Sequence, residues 1–344
     1  MILVVKFQSI FKKHLNHKLA LSKSLALVLL ATILSSCQNS SLHEFEGMIM
    51  GTNYKILIAG EIPSSINHGL LFNILDSVNQ EMSTYLPESP LNKLNKLPTS
   101  LWFTASKELL EVISYAQDVC IISDGAFDIS IGNIVNKWGF GPPLSFATKT
   151  ESIDTLIKDV GCESIEINKP RNQIRRLKEV SLDLSAIAKG YAIDKLSEYL
   201  LDLNIYNFLI ELGGEIRVNG DKRGSQWEVG IENPLNQKEP LLILDMSNFQ
   251  NYALATSGIY RNFKIVENNF ISHTFDPRTG RSVDSQLLSV SVIDNLAIKA
   301  DTLATTLNVL GMKKGMEFAE EHKIKALFVM NKNNKAYYKT SSEY

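Results

Sequence analysis

The chain has 344 residues, 44% of them hydrophobic and 21% charged, which is ordinary for a globular protein and long enough for one large or two medium domains. Its formal net charge of −2 removes any composition-based case for nucleic acid as a partner. An anionic small molecule stays open, because it needs only local positive charge.

Lys12, Lys13, Lys18 and Lys23 precede an apolar run from Leu25 to Leu34, and Ser35-Ser36-Cys37 follows directly. A basic stretch, a short apolar stretch and small residues read as a secretory signal over residues 1–36. The apolar run is too short to cross a bilayer as a mature helix. Leu34-Ser35-Ser36-Cys37 resembles a bacterial lipobox, in which the cysteine is acylated and becomes the new N-terminus. The expectation is an exported protein, lipid-anchored at Cys37, with residues 37–44 as a polar tether. Cys120 and Cys162 then remain. Two cysteines give no spacing signal, and Cys120, inside an apolar helical run, reads as a buried free thiol, although an oxidising compartment would permit pairing.

The body, residues 45–344, mixes helices and strands without a regular βαβ rhythm, so the fold class is α+β, with no linker and no internal repeat. Residues 45–59 alternate loosely and read as one strand carrying Met50-Gly51-Thr52. Residues 64–82 have helical spacing in Leu71, Ile74, Leu75 and Val78 and lead to Ser83-Thr84-Tyr85. A short helical turn follows at 89–97, then a helix over 107–123. Asp124-Gly125-Ala126-Phe127-Asp128 leads on to Trp138-Gly139-Phe140-Gly141. Glycines beside aromatics allow close backbone approach to a flat ligand, on which Phe127 could stack, though a hydrophobic core turn explains the stretch as well.

Residues 153–160 read as helical, and a sheet region runs from 164 to 184. In Asp183-Leu184-Ser185-Ala186-Ile187-Ala188-Lys189-Gly190-Tyr191 a helix is expected just after Ser185, its N-terminus a general anion site with Lys189 one turn in. Ser185 alone is more often just an N-cap. Strands follow at 207–212, 215–218, 227–231, 241–246 and 252–256. Gly213-Gly214 and Thr256-Ser257-Gly258 mark either close backbone approach to a ligand or bulges. His273, just before Asp276-Pro277-Arg278-Thr279-Gly280, has the imidazole best suited to general-base work. A strand at 288–293 enters a helix over 295–311, where Asp301 and Thr305 project one turn apart. Two hard oxygen donors at that spacing suit Mg²⁺, although a partly buried helix with a solvated Asp and a Thr bonded back to its own turn is the commoner explanation of these residues alone. A helix over 313–322 and a hairpin turning at 331–334 close the chain.

Taken together and in order, these segments resemble the ApbE-type flavin transferases, the FAD:protein FMN transferases, across nearly the whole mature chain. The resemblance implies a single ApbE-like, T-fold-like domain of mixed, largely antiparallel sheets with packed helices. It implies a Mg²⁺ site formed by the carbonyl of Ala186 with Asp301 and Thr305. Met50, Tyr85, Ala126, Phe127, Asp128, Asp183, Lys189 and the backbone around Phe275 would line the FAD site, with His273 as catalytic base. Glu215 stands where relatives more often carry Asp or Asn. The implied reaction is Mg²⁺-dependent transfer of FMN from FAD to a threonine hydroxyl of a target flavoprotein, with release of AMP. FAD pyrophosphatase activity and non-catalytic flavin binding are the alternatives. The implied targets are subunits of Nqr- or Rnf-type electron-transfer complexes, met on the periplasmic side of a membrane, by resemblance the inner one.

Overall fold

The computed structural model describes residues 41–142, 151–222, 224–244, 251–266, 269–283 and 286–344. The expected signal sequence, Cys37 and the expected tether up to residue 40 lie outside the described residues. The first element pair is a hairpin, Leu42–Ile49 (β1) with Thr52–Ala59 (β2), in which Ile49 pairs with Thr52. Met50 and Gly51 form its two-residue turn, with φ of 51° and 73°. Positive φ at both positions matches the right-handed twist of the flanking strands. The single strand expected over 45–59 is therefore two. β1 also begins at Leu42, inside the expected tether, because its exposed alternate positions carry Glu44 and Glu46 and hide the apolar period.

Three helices and a short strand follow. His68–Met82 (α1) is capped by Asn67, whose side chain accepts from the Leu70 amide at 3.0 Å, and Pro90–Lys96 (α2) by Ser89. Phe103–Thr104 (β3) precedes Lys107–Ile122 (α3), which is capped by Ser106. Then come Gly132–Lys137 (α4), Ile153–Leu156 (α5), Ile165–Asn168 (β4), Gln173–Arg176 (β5) and Ala188–Asp202 (α6). The second half holds Phe208–Leu212 (β6), Glu215–Asn219 (β7), Val229–Glu232 (β8), Pro240–Leu244 (β9) and Asn251–Gly258 (β10). Two small hairpins, Phe263–Val266 (β11) with Asn269–Ser272 (β12) and Phe275–Asp276 (β13) with Arg281–Ser282 (β14), precede Leu287–Asp294 (β15). Ala297–Glu321 (α7), Lys325–Lys332 (β16) and Lys335–Thr340 (β17) end the chain.

The frame is an antiparallel sheet ordered β1-β2-β6-β7-β10-β15-β16-β17. One face buries Ile56, Ile58, Val290 and Val292 against Leu71, Leu75, Leu196 and Leu307 of the helices. The other buries Tyr252, Leu254 and Val329 under Trp227, Val229 and Ile231 around the β8–β9 ribbon. The inner strand β15 is therefore apolar or small on both faces up to Ile293 and buried along nearly its whole length.

Close contact between α6 and α7 sets the position of Asp301. A Cβ on Gly190 would stand 2.4 Å from the Ala297 carbonyl oxygen, so only glycine allows this approach. No side chain next to α7 caps its start. Asp194 of α6 does so instead, accepting from the amides of Ala297 and Ile298, each at 2.9 Å, while pairing with Arg217 of β7. Gly311 breaks the α7 geometry at φ 73°, which accounts for the two helical patterns on either side of it.

Cys120 is not a free thiol. The end of α3 and the short turn at Cys162–Ser164 bring Cys120 and Cys162 together in a disulfide, with Cα atoms 5.8 Å apart.

Candidate active site

A cavity of about 970 Å³ opens among β2, β6, β7, β10, the starts of α6 and α7, and the excursion that carries β11 to β14. Its polar floor comes from α7. Asp301 is 4% exposed, and its Oδ2 accepts from the Gly190 amide at 3.1 Å. Thr302 and Thr306 turn their hydroxyls back to the carbonyls of Ile298 and Thr302, whereas Thr305 lines the cavity beside Asp301. Back-bonding thus falls to the neighbours of Thr305.

The lead into α6 differs from the sequence expectation. The helix begins at Ala188, with Ile187 at the N-cap position and no side-chain cap. Ser185 instead donates its amide and hydroxyl to Asp183 Oδ1, at 2.8 and 2.5 Å. Asp183 thereby holds a turn that places Ala186 on the cavity wall with Asp301 and Thr305. Carboxylate, hydroxyl and carbonyl are all hard oxygen donors, the set that Mg²⁺ prefers.

Lys189 joins the two acidic sides of the cavity. Its Nζ donates to the Ser185 carbonyl at 3.1 Å and lies 3.5 Å from Glu215 Oε1 and 3.9 Å from Asp301 Oδ2. Burial alone would lower its pKa, but the Asp301 and Glu215 carboxylates outweigh that and hold the ammonium above the ordinary lysine range. Burial pushes the Glu215 carboxyl well up, against the opposing pull of Lys189. Glu215 Oε2 is buried and has no hydrogen-bond partner. The Asp301 carboxylate and the orphaned Glu215 oxygen, with burial working against a negative charge on Glu215 while no cation meets it, make a site that a divalent cation fits.

The opposite wall is aromatic. Tyr85 stands at the rim, 58% exposed, and donates its hydroxyl to the Phe140 carbonyl at 2.9 Å. Phe275 stacks on Trp138 with ring centroids 5.9 Å apart and meets Phe140 edge-on at 5.7 Å. Met50, at the turn of the first hairpin, also faces the cavity. Ala126, Phe127 and Asp128 line it from behind and are 0%, 3% and 6% exposed, so the Phe127 ring is mostly core. Asp128 accepts from the Ser130 amide at 2.8 Å, while burial raises its carboxyl pKa.

His273 lies between the two small hairpins. Its amide donates to the Asn262 carbonyl at 3.1 Å, and its Nδ1 lies 3.0 Å from the same oxygen. A carbonyl only accepts, so this contact assigns the proton to Nδ1 and leaves the Nε2 lone pair free. Burial holds the imidazole below its ordinary pKa. The Asn262 carbonyl partly offsets this, and the Lys189 charge adds to it.

Every flavin-site, metal-site and catalytic residue expected from the sequence thus lines one cavity, while Cys37 lies outside the described residues. Sequence reading missed another part of the wall, Glu211, Glu232, Tyr260, Arg261 and Asn262. Glu232 accepts from the Tyr260 hydroxyl at 3.3 Å and from Arg261 Nε at 3.0 Å. Partners nearly thirty residues apart, one at the end of β8 and the others between β10 and β11, carry no local signature.

The sequence profile of the ApbE family matches residues 50–328. A Vibrio cholerae protein named FAD:protein FMN transferase is 34% identical over 314 residues, covering 88% of this chain and 93% of the relative. A Haemophilus influenzae protein of the same name is 32% identical, covering 92% and 95%. Among solved structures, the flavin transferase ApbE from Vibrio cholerae superposes with a TM-score of 0.77 at 32% identity, covering 88% of this chain and 98% of that one. The apo form of the Pseudomonas stutzeri flavinyl transferase ApbE also gives 0.77, at 28% identity, covering 88% and 96%. With an antiparallel frame, a cavity built from the motifs in their expected order and a match over most of its length, the chain belongs to the ApbE family.

Proposed function

We propose that this protein transfers FMN from FAD to a threonine hydroxyl of a target flavoprotein, releases AMP, and depends on Mg²⁺. The observation that carries the reading is the meeting of Asp301, Thr305, Lys189 and His273 on one cavity whose other wall is aromatic. FAD presents a flat ring system at one end and an anionic pyrophosphate in its middle, and the two walls match those two parts. Ala186, Asp301 and Thr305 would hold the divalent cation, which when bound supplies charge neutralisation for the pyrophosphate. Lys189 brings a fixed positive charge to the same phosphates. The free Nε2 of His273 takes the proton as the hydroxyl attacks the FMN-side phosphorus and the bond to AMP breaks.

The acceptors are taken to be subunits of Nqr- or Rnf-type complexes, and the enzyme to work outside the cytoplasmic membrane on a lipid anchor at Cys37. The Cys120–Cys162 disulfide supports export, since such bonds persist in oxidising compartments.

The test is incubation with FAD, with and without Mg²⁺, together with a soluble fragment of the FMN-carrying subunit of an Nqr-type quinone reductase. Mg²⁺-dependent AMP and flavin covalently bound to a threonine are expected. Asp301→Ala should lower AMP release by about a hundredfold to a thousandfold, a loss of the size seen when one preorganised electrostatic contact is removed. Free FMN without labelled acceptor would assign the site to FAD hydrolysis, and full turnover in Asp301→Ala would remove the metal assignment.

A further inference from the structure

The β11–β12 ribbon is not used by this chemistry. Both its ends grow out of the cavity wall: Tyr260, Arg261 and Asn262 line the cavity just before it, and His273, Thr274 and Phe275 just after it. The ribbon itself stands outside. Phe263, Ile265 and Val266 are 46%, 62% and 43% exposed, and nowhere else among the described residues do three of four consecutive positions expose a large hydrophobe.

Register sorts these residues by face. Ile265 pairs with Phe270 and Phe263 with Ser272, so Phe263, Ile265 and Phe270 share one face, with the two phenyl rings 5.0 Å apart. The other face is anchored. Lys264 donates to the Gly139 carbonyl at a distance of 2.5 Å and sits 4.7 Å above the Phe140 ring, at the aromatic wall. The ribbon is a separate two-stranded sheet, so among the described residues the outer edge of β11 has no strand neighbour, while at that of β12 the Ser272 amide donates to the Ser282 hydroxyl at 2.8 Å. A two-stranded ribbon is marginal by itself, and a contiguous exposed apolar patch marks a contact surface.

We infer that this ribbon docks the acceptor protein: an extended apolar segment next to the acceptor threonine lies on Phe263, Ile265 and Phe270. The inference rests on the transferase reading above. An acceptor hydroxyl has to enter the cavity beside His273, so its chain must cross the rim from which the ribbon rises. An extended segment crossing there meets an apolar face and an open strand edge together, the arrangement that binds peptides by strand addition. A lipid surface or a second copy of the chain has no such need to reach the His273 side of the rim.

The test compares wild type with Ile265→Glu and Ile265→Lys, using the same quinone-reductase fragment as acceptor. Ile265 is the most exposed of the three residues, so either charge leaves the core intact. The expected result is a KM for the acceptor raised about tenfold or more in both variants, the scale of losing one central contact. FAD affinity, read by flavin fluorescence, and AMP release into water should stay at wild-type values. Unchanged acceptor KM overturns the inference. So does parallel loss of FAD binding, which would make the ribbon part of the flavin site. Ile265-dependent binding to anionic vesicles or dimerisation, with acceptor kinetics intact, would assign the face to lipid or to a second copy and also overturn it. Wild type that releases AMP but leaves the acceptor unlabelled would remove the transferase reading and this inference together; labelling with unaltered variants removes only the inference.

Discussion

Each reacting side chain is tuned by what it touches. For His273 the Asn262 carbonyl fixes the tautomer, and burial keeps the ring neutral to lower pH than an exposed histidine. A base must be unprotonated to act, and a depressed pKa moves the acid limb of the rate profile downward. The rate should therefore fall as pH drops through a value below 6.5, and be level above it with respect to this group. His273→Ala should slow transfer by roughly a hundredfold to ten-thousandfold, the usual worth of a positioned general base, and erase that limb, with FAD binding retained. Steady-state kinetics across pH checks both; a normal rate in the variant would clear His273 of the role. Lys189 differs in kind, because two carboxylates keep it charged and it serves as a fixed counter-charge.

Between elements, the α6–α7 contact sets the distance from Lys189 to Asp301. Asp194 caps α7 from α6 and pairs with Arg217 from β7, joining two helices and the sheet. Asp194→Ala leaves a buried guanidinium and two amides unpaired, and should cost about 3–5 kcal/mol in denaturant unfolding. Gly190→Ala presses a methyl onto the Ala297 carbonyl and should cost about 1–3 kcal/mol while weakening Mg²⁺ dependence, because it moves Asp301. A Gly190→Ala enzyme with wild-type stability and metal response would show that the contact has slack. This scale also marks what could be read beforehand. Asp301 and Thr305 were legible because helical spacing places them on one side. The α3 bounds and the hairpin turn at Asn333-Asn334, both at positive φ, were legible from local patterns. The α6 start was misplaced because Ser185, a good cap by type, spends its hydroxyl on Asp183. The Asp194 cap and the Glu232–Arg261 pair were invisible, since both depend on tertiary proximity alone.

At the scale of the molecule, the disulfide adds a covalent tie between two parts that already share one core, with the Gln117 side chain of α3 donating to the Cys162 carbonyl. Cys120 ends α3 in the helical layer, and Cys162 leads into β4 of the small β3-β5-β4 sheet, 42 residues on. Between them runs the segment that carries Ala126, Phe127 and Asp128 to the cavity. Two contacts hold that segment near the bridge: the Gly125 amide donates to the Cys120 carbonyl at 2.9 Å, and the Gly161 amide to Ser130 Oγ at 3.1 Å. Closing a loop of this length removes unfolded-state freedom worth about 4 kcal/mol. Cys120→Ser with Cys162→Ser should therefore lower stability by about that amount in guanidinium unfolding, and reduction of the wild type should match it. The frame sheet and α7 do not depend on the bridge, so Mg²⁺-dependent AMP release should persist at temperatures where the variant is folded. FAD should bind more weakly, because one cavity wall has lost its tie. Equal stability of oxidised and reduced protein would show that packing alone holds that wall, and would take away the structural support for folding in an oxidising compartment.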